Sequence, residues 1–76
     1  MSLTTLTKVT SSNIEAIGHD PVAKTLVVEF KNGSRYSYQN VEQALFEAIR
    51  DADSVGATFN KMVKAHPAAF PFTKEN

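Results

Sequence analysis

The sequence predicts an α+β domain: a three-stranded antiparallel β-meander followed by two α-helices packed on one face. Three observations predict it. Apolar residues alternate with polar ones through Thr25–Phe30 and again up to Tyr38, a period of two that marks half-buried strands. Asn32-Gly33 stands between those runs, a strong short-range hairpin signal. After Asn40 the apolar period changes to that of a helix, and it stays so to about Ala65.

Met1–Thr10 (MSLTTLTKVT) is rich in Thr and Ser, with Leu3, Leu6 and Val9 loosely spaced. It reads as an N-terminal extension, either a short edge strand or a frayed end. The domain proper spans 11–72. In Ile14–Gly18, Ile14 and Ala16 share one strand face and Ile17 falls on the other, which predicts an irregularity near Gly18. His19–Lys24 is a connector, because Asp20-Pro21 initiates a turn.

Two hairpin loops compete at Asn32-Gly33. A two-residue turn would pair Glu29 with Tyr36 and press Arg35 and Gln39 against the core, which is costly without partners. A three-residue loop, Lys31-Asn32-Gly33, ending in a left-handed glycine pairs Phe30 with Ser34, Val28 with Tyr36 and Leu26 with Tyr38. It also sets Glu29 opposite Arg35, a favourable cross-strand pair. A slip of one residue turns every side chain over, so the bulged loop is preferred.

Asn40 with Gln43 three residues on has the form of a capping box. Val41, Ala44, Leu45, Ala48 and Ile49 then form one apolar stripe, with Phe46 beside it, on a helix ending around Ala52-Asp53. Ser54 caps a second helix, Val55 to about Ala65, with Val55, Phe59, Met62 and Val63 at helical spacing. Gly56 near its start costs about 1 kcal/mol of helix propensity, which implies close backbone packing there. Pro67 stops the helix. The apolar Ala68–Phe72 is expected to dock in extended form, and 73–76 reads as a polar, mobile tail.

Composition removes several classes of function. Seventy-six residues hold one small domain. Without cysteine there is no disulfide, thiolate metal site or cysteine nucleophile. The apolar runs are too short to span a membrane and the N-terminus lacks a signal-peptide pattern, so cytoplasmic residence is expected. Eight acidic and eight basic residues sum to zero, which weighs against strong non-specific nucleic-acid binding. The charges are unevenly placed: the first helix carries Glu42, Glu47, Asp51 and Asp53, whereas Lys61 and Lys64 are the only formal charges between Ser54 and Phe72.

Ordered pieces of the chain resemble the KTSC domain, a family named for its place at the C-terminus of some lysyl-tRNA synthetases and found also as a stand-alone protein. The pieces are Ser11-Ser12 with Ile14, Ile17-Gly18 with Asp20, Leu26, Val28-Glu29-Phe30, Asn32-Gly33, Tyr36-Ser37-Tyr38, Val41, Ser54-Val55-Gly56 and Phe59-Asn60. They cover roughly Ser11 to Pro67. His19, Thr58 and His66-Pro67 depart from the family's more aromatic pattern. The resemblance implies no established activity, only an RNA-binding role suggested by the company of a tRNA synthetase.

Tyr36 and Tyr38, two apart on a strand, have the spacing of a base-stacking platform. The preferred register favours the other reading, a half-buried core pair with hydroxyls at the rim. Asn60, Lys61, Lys64 and His66 offer a small polar, basic patch for phosphate, with the two lysines i, i+3 on one helix face. A solvated face, with Asn60 bonded to backbone, accounts for the same residues. Ser11, Ser12, His19 and Asp20 contain the ingredients of a nucleophilic site but no recognised spacing. The two histidines lie far apart, so no metal is expected, and the scattered glycines build no phosphate loop.

The expected function is therefore a non-catalytic binding module without cofactor, for RNA or tRNA-like ligands. It would use the ends of the second helix and the rim of the hairpin. The alternative is a protein-interaction or homo-oligomerising module in which Val27 and neighbouring exposed apolar groups meet another chain.

Overall fold

The hairpin forms around the bulged loop. In the computed structural model, which describes residues 6–75, the Gly33 N–H donates to the Phe30 carbonyl (2.9 Å) and the Phe30 N–H donates to the Ser34 carbonyl (2.8 Å). Gly33 has φ +93°, the left-handed conformation that a side chain disfavours. Strands β3 (Thr25–Phe30) and β4 (Arg35–Tyr38) accordingly pair Val28 with Tyr36, Leu26 with Tyr38 and Glu29 with Arg35. Arg35 Nη2 lies 3.8 Å from Glu29 Oε1.

The sheet has five strands rather than three, all antiparallel and in chain order. β1 is only Thr7–Lys8, on the edge beside β2 (Ile14–Asp20). β2 carries its irregularity between Ile14 and Ala16, not near Gly18. The extra residue shifts the strand's phase by one, so Ile14, Ile17 and His19 lie opposite Phe30, Val28 and Leu26 on one face. Ile14 and Ile17 are both fully buried there.

Val27 faces the other way, opposite Gly18 and Ser37, yet is only 8% exposed. It lies on the central strand of five and is itself withdrawn from solvent, so Val27 is not the exposed apolar group expected there.

Helix α1 (Gln43–Arg50) begins later than a cap at Asn40 would set it. Asn40 takes φ +63° and reverses the chain, a conformation asparagine tolerates better than most residues. Glu42 holds the N-cap position without a side-chain hydrogen bond, so no capping box forms. Val41 is fully buried just ahead of the helix, its N–H bonded to the Lys24 carbonyl at 2.9 Å. The late start rotates the buried stripe. Phe46 and Ile49 enter the core with Leu45 against it, while Ala44 and Ala48 face solvent.

Helix α2 (Val55–Phe59) is capped as expected: Ser54 Oγ accepts from the Ala57 N–H at 3.4 Å. A Cβ on Gly56 would meet Ser11 Oγ and Asn13 Oδ1 at 2.8 Å each, which is the close approach its sequence position implies. The helix continues as a π-helical turn, Asn60–Lys64, closed by the Ala65 N–H on the Asn60 carbonyl at 2.9 Å. That wider turn keeps Val63 fully buried and leaves Met62 39% exposed.

The chain then turns and returns as β5 (Phe72–Lys74) along the outer edge of β4. Backbone bonds from Gln39 N–H to the Pro71 carbonyl (2.8 Å) and from Glu75 N–H to the Arg35 carbonyl (2.7 Å) hold it. The docked tail therefore extends past Phe72, and Thr73 and Lys74 are strand residues, not a loose end. The core lies between the inner sheet face and the helical segments, from Ile17, Leu26 and Val28 to Ile49, Phe59 and Val63.

Candidate binding groove

The alternation of β3 and β4 brings aromatic side chains to the edge of the core near the hairpin loop. Tyr38 is 4% exposed and meets Phe59 edge-on, ring centres 5.1 Å apart. Tyr36 is half-buried and meets Phe30 edge-on at 5.7 Å. Phe72 of β5 lies against both tyrosines, 5.9 Å from Tyr36 and 5.7 Å from Tyr38, and keeps 53% of its surface exposed. Phe30, Tyr36, Tyr38 and Phe72 wall a groove of about 540 Å³ between the hairpin and the π-helical turn, where Val63 and Pro67 complete the apolar lining.

The polar lining is one-sided in charge. Lys31 from the hairpin loop and Lys64 from the π-helical turn both line the groove, as do Ser12, Asn13, Asn32 and Ser34; no carboxylate does. Among the described residues neither lysine is in an ion pair, while four other cations are: Lys8, Lys24, Arg35 and Arg50. Burial raises the Tyr38 hydroxyl above the ordinary tyrosine pKa, and neighbouring Tyr36 adds to the rise. Tyr38 is thus a neutral phenol at physiological pH.

The residues singled out from the sequence divide. Tyr36, Tyr38 and Lys64 come together in the groove, whereas Asn60, Lys61 and His66 are exposed and line none of it. Lys61 and Lys64 both lie on the π-helical turn, but only Lys64 lines the groove. Of the ingredients of a nucleophilic site, Ser12 lines the groove while Ser11, His19 and Asp20 are occupied elsewhere. Ser11 Oγ bonds with Asn13 and Ile14, and Asp20 Oδ1 accepts from the Val22 and Ala23 N–H groups. His19 bridges the sheet to α1: its ring stacks on Phe46 at 5.1 Å, with Nε2 2.6 Å from the Val41 carbonyl and Nδ1 3.2 Å from Gln43 Oε1. No group of three potential metal ligands occurs among the described residues.

Sequence reasoning missed Lys31, Asn13, Asn32, Phe30 and Phe72 as groove residues. Asn32 was legible only as a turn former, and the aromatic Phe72 in an apolar tail was the one signal that pointed to a further wall.

A family model of the KTSC domain matches residues 10–66. The chain belongs to the KTSC family. A crystal structure of a KTSC domain protein from Yersinia pestis superposes with a TM-score of 0.85 at 28% identity, covering 97% of this chain and 100% of that one. An uncharacterised protein of Stutzerimonas stutzeri is 39% identical over 54 residues, 71% of this KTSC chain and 76% of that protein. A lysine–tRNA ligase of Nostoc sp. is 37% identical over 59 residues, 78% of this chain but 10% of the ligase. The groove-lining Asn13, Asn32, Tyr36, Tyr38 and Lys64 fall inside the matched segment and Phe72 outside it.

Proposed function

We propose that this KTSC domain is a non-catalytic module that binds RNA, tRNA included, through the aromatic groove. The observation that carries the reading is the meeting of stacking surface with unpaired positive charge in one concavity that no carboxylate lines. Bases stack on exposed aromatic rings at about 1–3 kcal/mol each, and lysines neutralise the adjoining phosphates. A volume of about 540 Å³ suits one nucleotide unit rather than a duplex. The occurrence of a related segment in Nostoc lysine–tRNA ligase supports a ligand of this class. The proposed setting is the cytoplasm, where tRNA is found.

Fluorescence anisotropy with labelled tRNA at low ionic strength tests the reading. Binding is expected, and Lys31→Glu with Lys64→Glu is expected to abolish it, while Lys61→Glu changes it little. Absence of binding to any RNA at low salt overturns the proposal.

A second reading, a protein-interaction module, is favoured by one observation: β5 is exposed along its length and carries Phe72 at the sheet edge. Light scattering across a concentration series separates it, since self-association through β5 would raise the molar mass and Phe72→Ala would restore the monomer.

A further inference from the structure

Among the described residues four aromatic rings line the groove, and their exposure divides them. Tyr38 is 4% exposed, and Phe30 and Tyr36 are half-buried against each other, edge to face. Phe72 alone of the four is exposed, at 53%. Its contacts with Tyr36 and Tyr38 are inclined by 54° and 37°, so neither tyrosine lies flat on its ring. The strand that carries it is pinned at both ends. Before Phe72, the Pro71 carbonyl accepts the Gln39 N–H at 2.8 Å. After it, the Glu75 N–H donates to the Arg35 carbonyl at 2.7 Å, and Glu75 Oε2 accepts the Ser37 hydroxyl at 3.0 Å. An exposed ring already held in place loses little freedom when a ligand covers it.

We propose that the groove takes an unpaired nucleotide and stacks its base on Phe72. The inference rests on the RNA-binding reading above and adds the residue that carries the stacking and the state of the strand it accepts. A base inside a duplex has both faces covered by its neighbours, whereas an unpaired base can turn one face to a side chain. Stacking needs an open ring face, which sets Phe72 ahead of both tyrosines. Lys31 and Lys64 line the same groove and meet the nucleotide's phosphates. Phe72 lies beyond residues 10–66, the segment that the family model matches, so the stacking face belongs to this chain's own β5.

The chain has no tryptophan, so Phe72→Trp sets a single reporter in the groove. An indole stacked on a base loses its emission. Titration of that variant with oligouridine at low salt is expected to quench most of the emission, and a poly(A)·poly(U) duplex is expected to leave it unquenched. The same substitution at Val22, 93% exposed in the turn before β3, is expected to keep its emission with either RNA. Phe72→Leu keeps an apolar wall without an aromatic face. It is expected to bind oligouridine about tenfold more weakly than the native chain, with little change in the midpoint of urea unfolding. Quenching decides alone if Phe72→Leu does not fold. Oligouridine binding without quenching, equal quenching at Val22 or by the duplex, or native affinity in Phe72→Leu overturns this proposal and leaves the RNA-binding reading standing. Failure of both oligouridine and tRNA to bind the native chain overturns both.

Discussion

Tyr38 is where the core and the groove share a side chain. Its ring packs on Phe59 inside and against Phe72 outside. Tyr38→Ala is expected to cost about 3–5 kcal/mol, the range for removing a buried aromatic, measured as a lowered midpoint of urea unfolding. Tyr36, half-buried, should tolerate conversion to Phe with little change in stability. The raised pKa of Tyr38 adds a pH dependence whose sign is set by the neutral form being favoured in the fold. Its stabilising contribution is complete below the unfolded-state value of about 10 and is lost as pH rises through the higher folded value. Alkaline unfolding should therefore begin at higher pH in Tyr38→Phe than in the native chain. Gly56 is held to its identity by a different constraint, the side chains of Ser11 and Asn13 against its backbone. Gly56→Ala forces them apart and is expected to destabilise by about 1–3 kcal/mol despite better helix propensity. Thermal unfolding checks it.

The hairpin from Thr25 to Tyr38 obeys local rules throughout. Its loop residues require a left-handed Gly33, and the resulting register places Leu26, Val28, Tyr36 and Tyr38 on the inner face. That much could be argued from residue types, because a wrong register would bury Arg35 and Gln39. Gly33→Ala, with open space around it but the wrong φ, should cost about 1 kcal/mol in urea unfolding and leave the register unchanged. Helix α1 shows where local rules stop. Asn40-x-x-Gln43 has the form of a cap, but Asn40 turns the chain instead and bonds through Nδ2 to the Ala69 carbonyl at 3.4 Å. Its choice depends on a segment 29 residues away, which no window of sequence around Asn40 contains. The π-helical turn is similar. It carries both Lys61 and Lys64 and delivers only Lys64 to the groove.

A neutral chain with two lysines at its groove has a defined electrostatic signature. If those two cations contact phosphate, log K against log salt should fall with a slope of about −1.4 for a single strand, much shallower than for a basic nucleic-acid binder. A much steeper slope would place the contact on another surface. The same pattern bears on solubility and association. Val27 is withdrawn from solvent, and exposed large apolar side chains are limited, among the described residues, to Val22, Met62 and Phe72. Of these only Phe72 lies in a sheet and beside the groove.

The α+β class, the inner hairpin register and the Ser54 cap were legible in the residues, because each follows from neighbours a few positions apart; a close approach at Gly56 was implied as well, but not that the distant Ser11 and Asn13 make it. The family was legible too. The groove was legible only in halves. Tyr36, Tyr38 and Lys64 carried a recognisable chemistry, but their company did not: Asn13 and Phe72 join them from distant parts of the chain, and Lys31 from the loop of the tyrosines' own hairpin. Strand β5 and the bulge between Ile14 and Ala16 belong to the same class of fact. Long-range pairing chooses among backbone conformations that are nearly equal locally, and only the folded sheet supplies the partner that decides. That choice turned a pair of tyrosines with two competing readings into residues that serve both the core and one wall of a cationic groove.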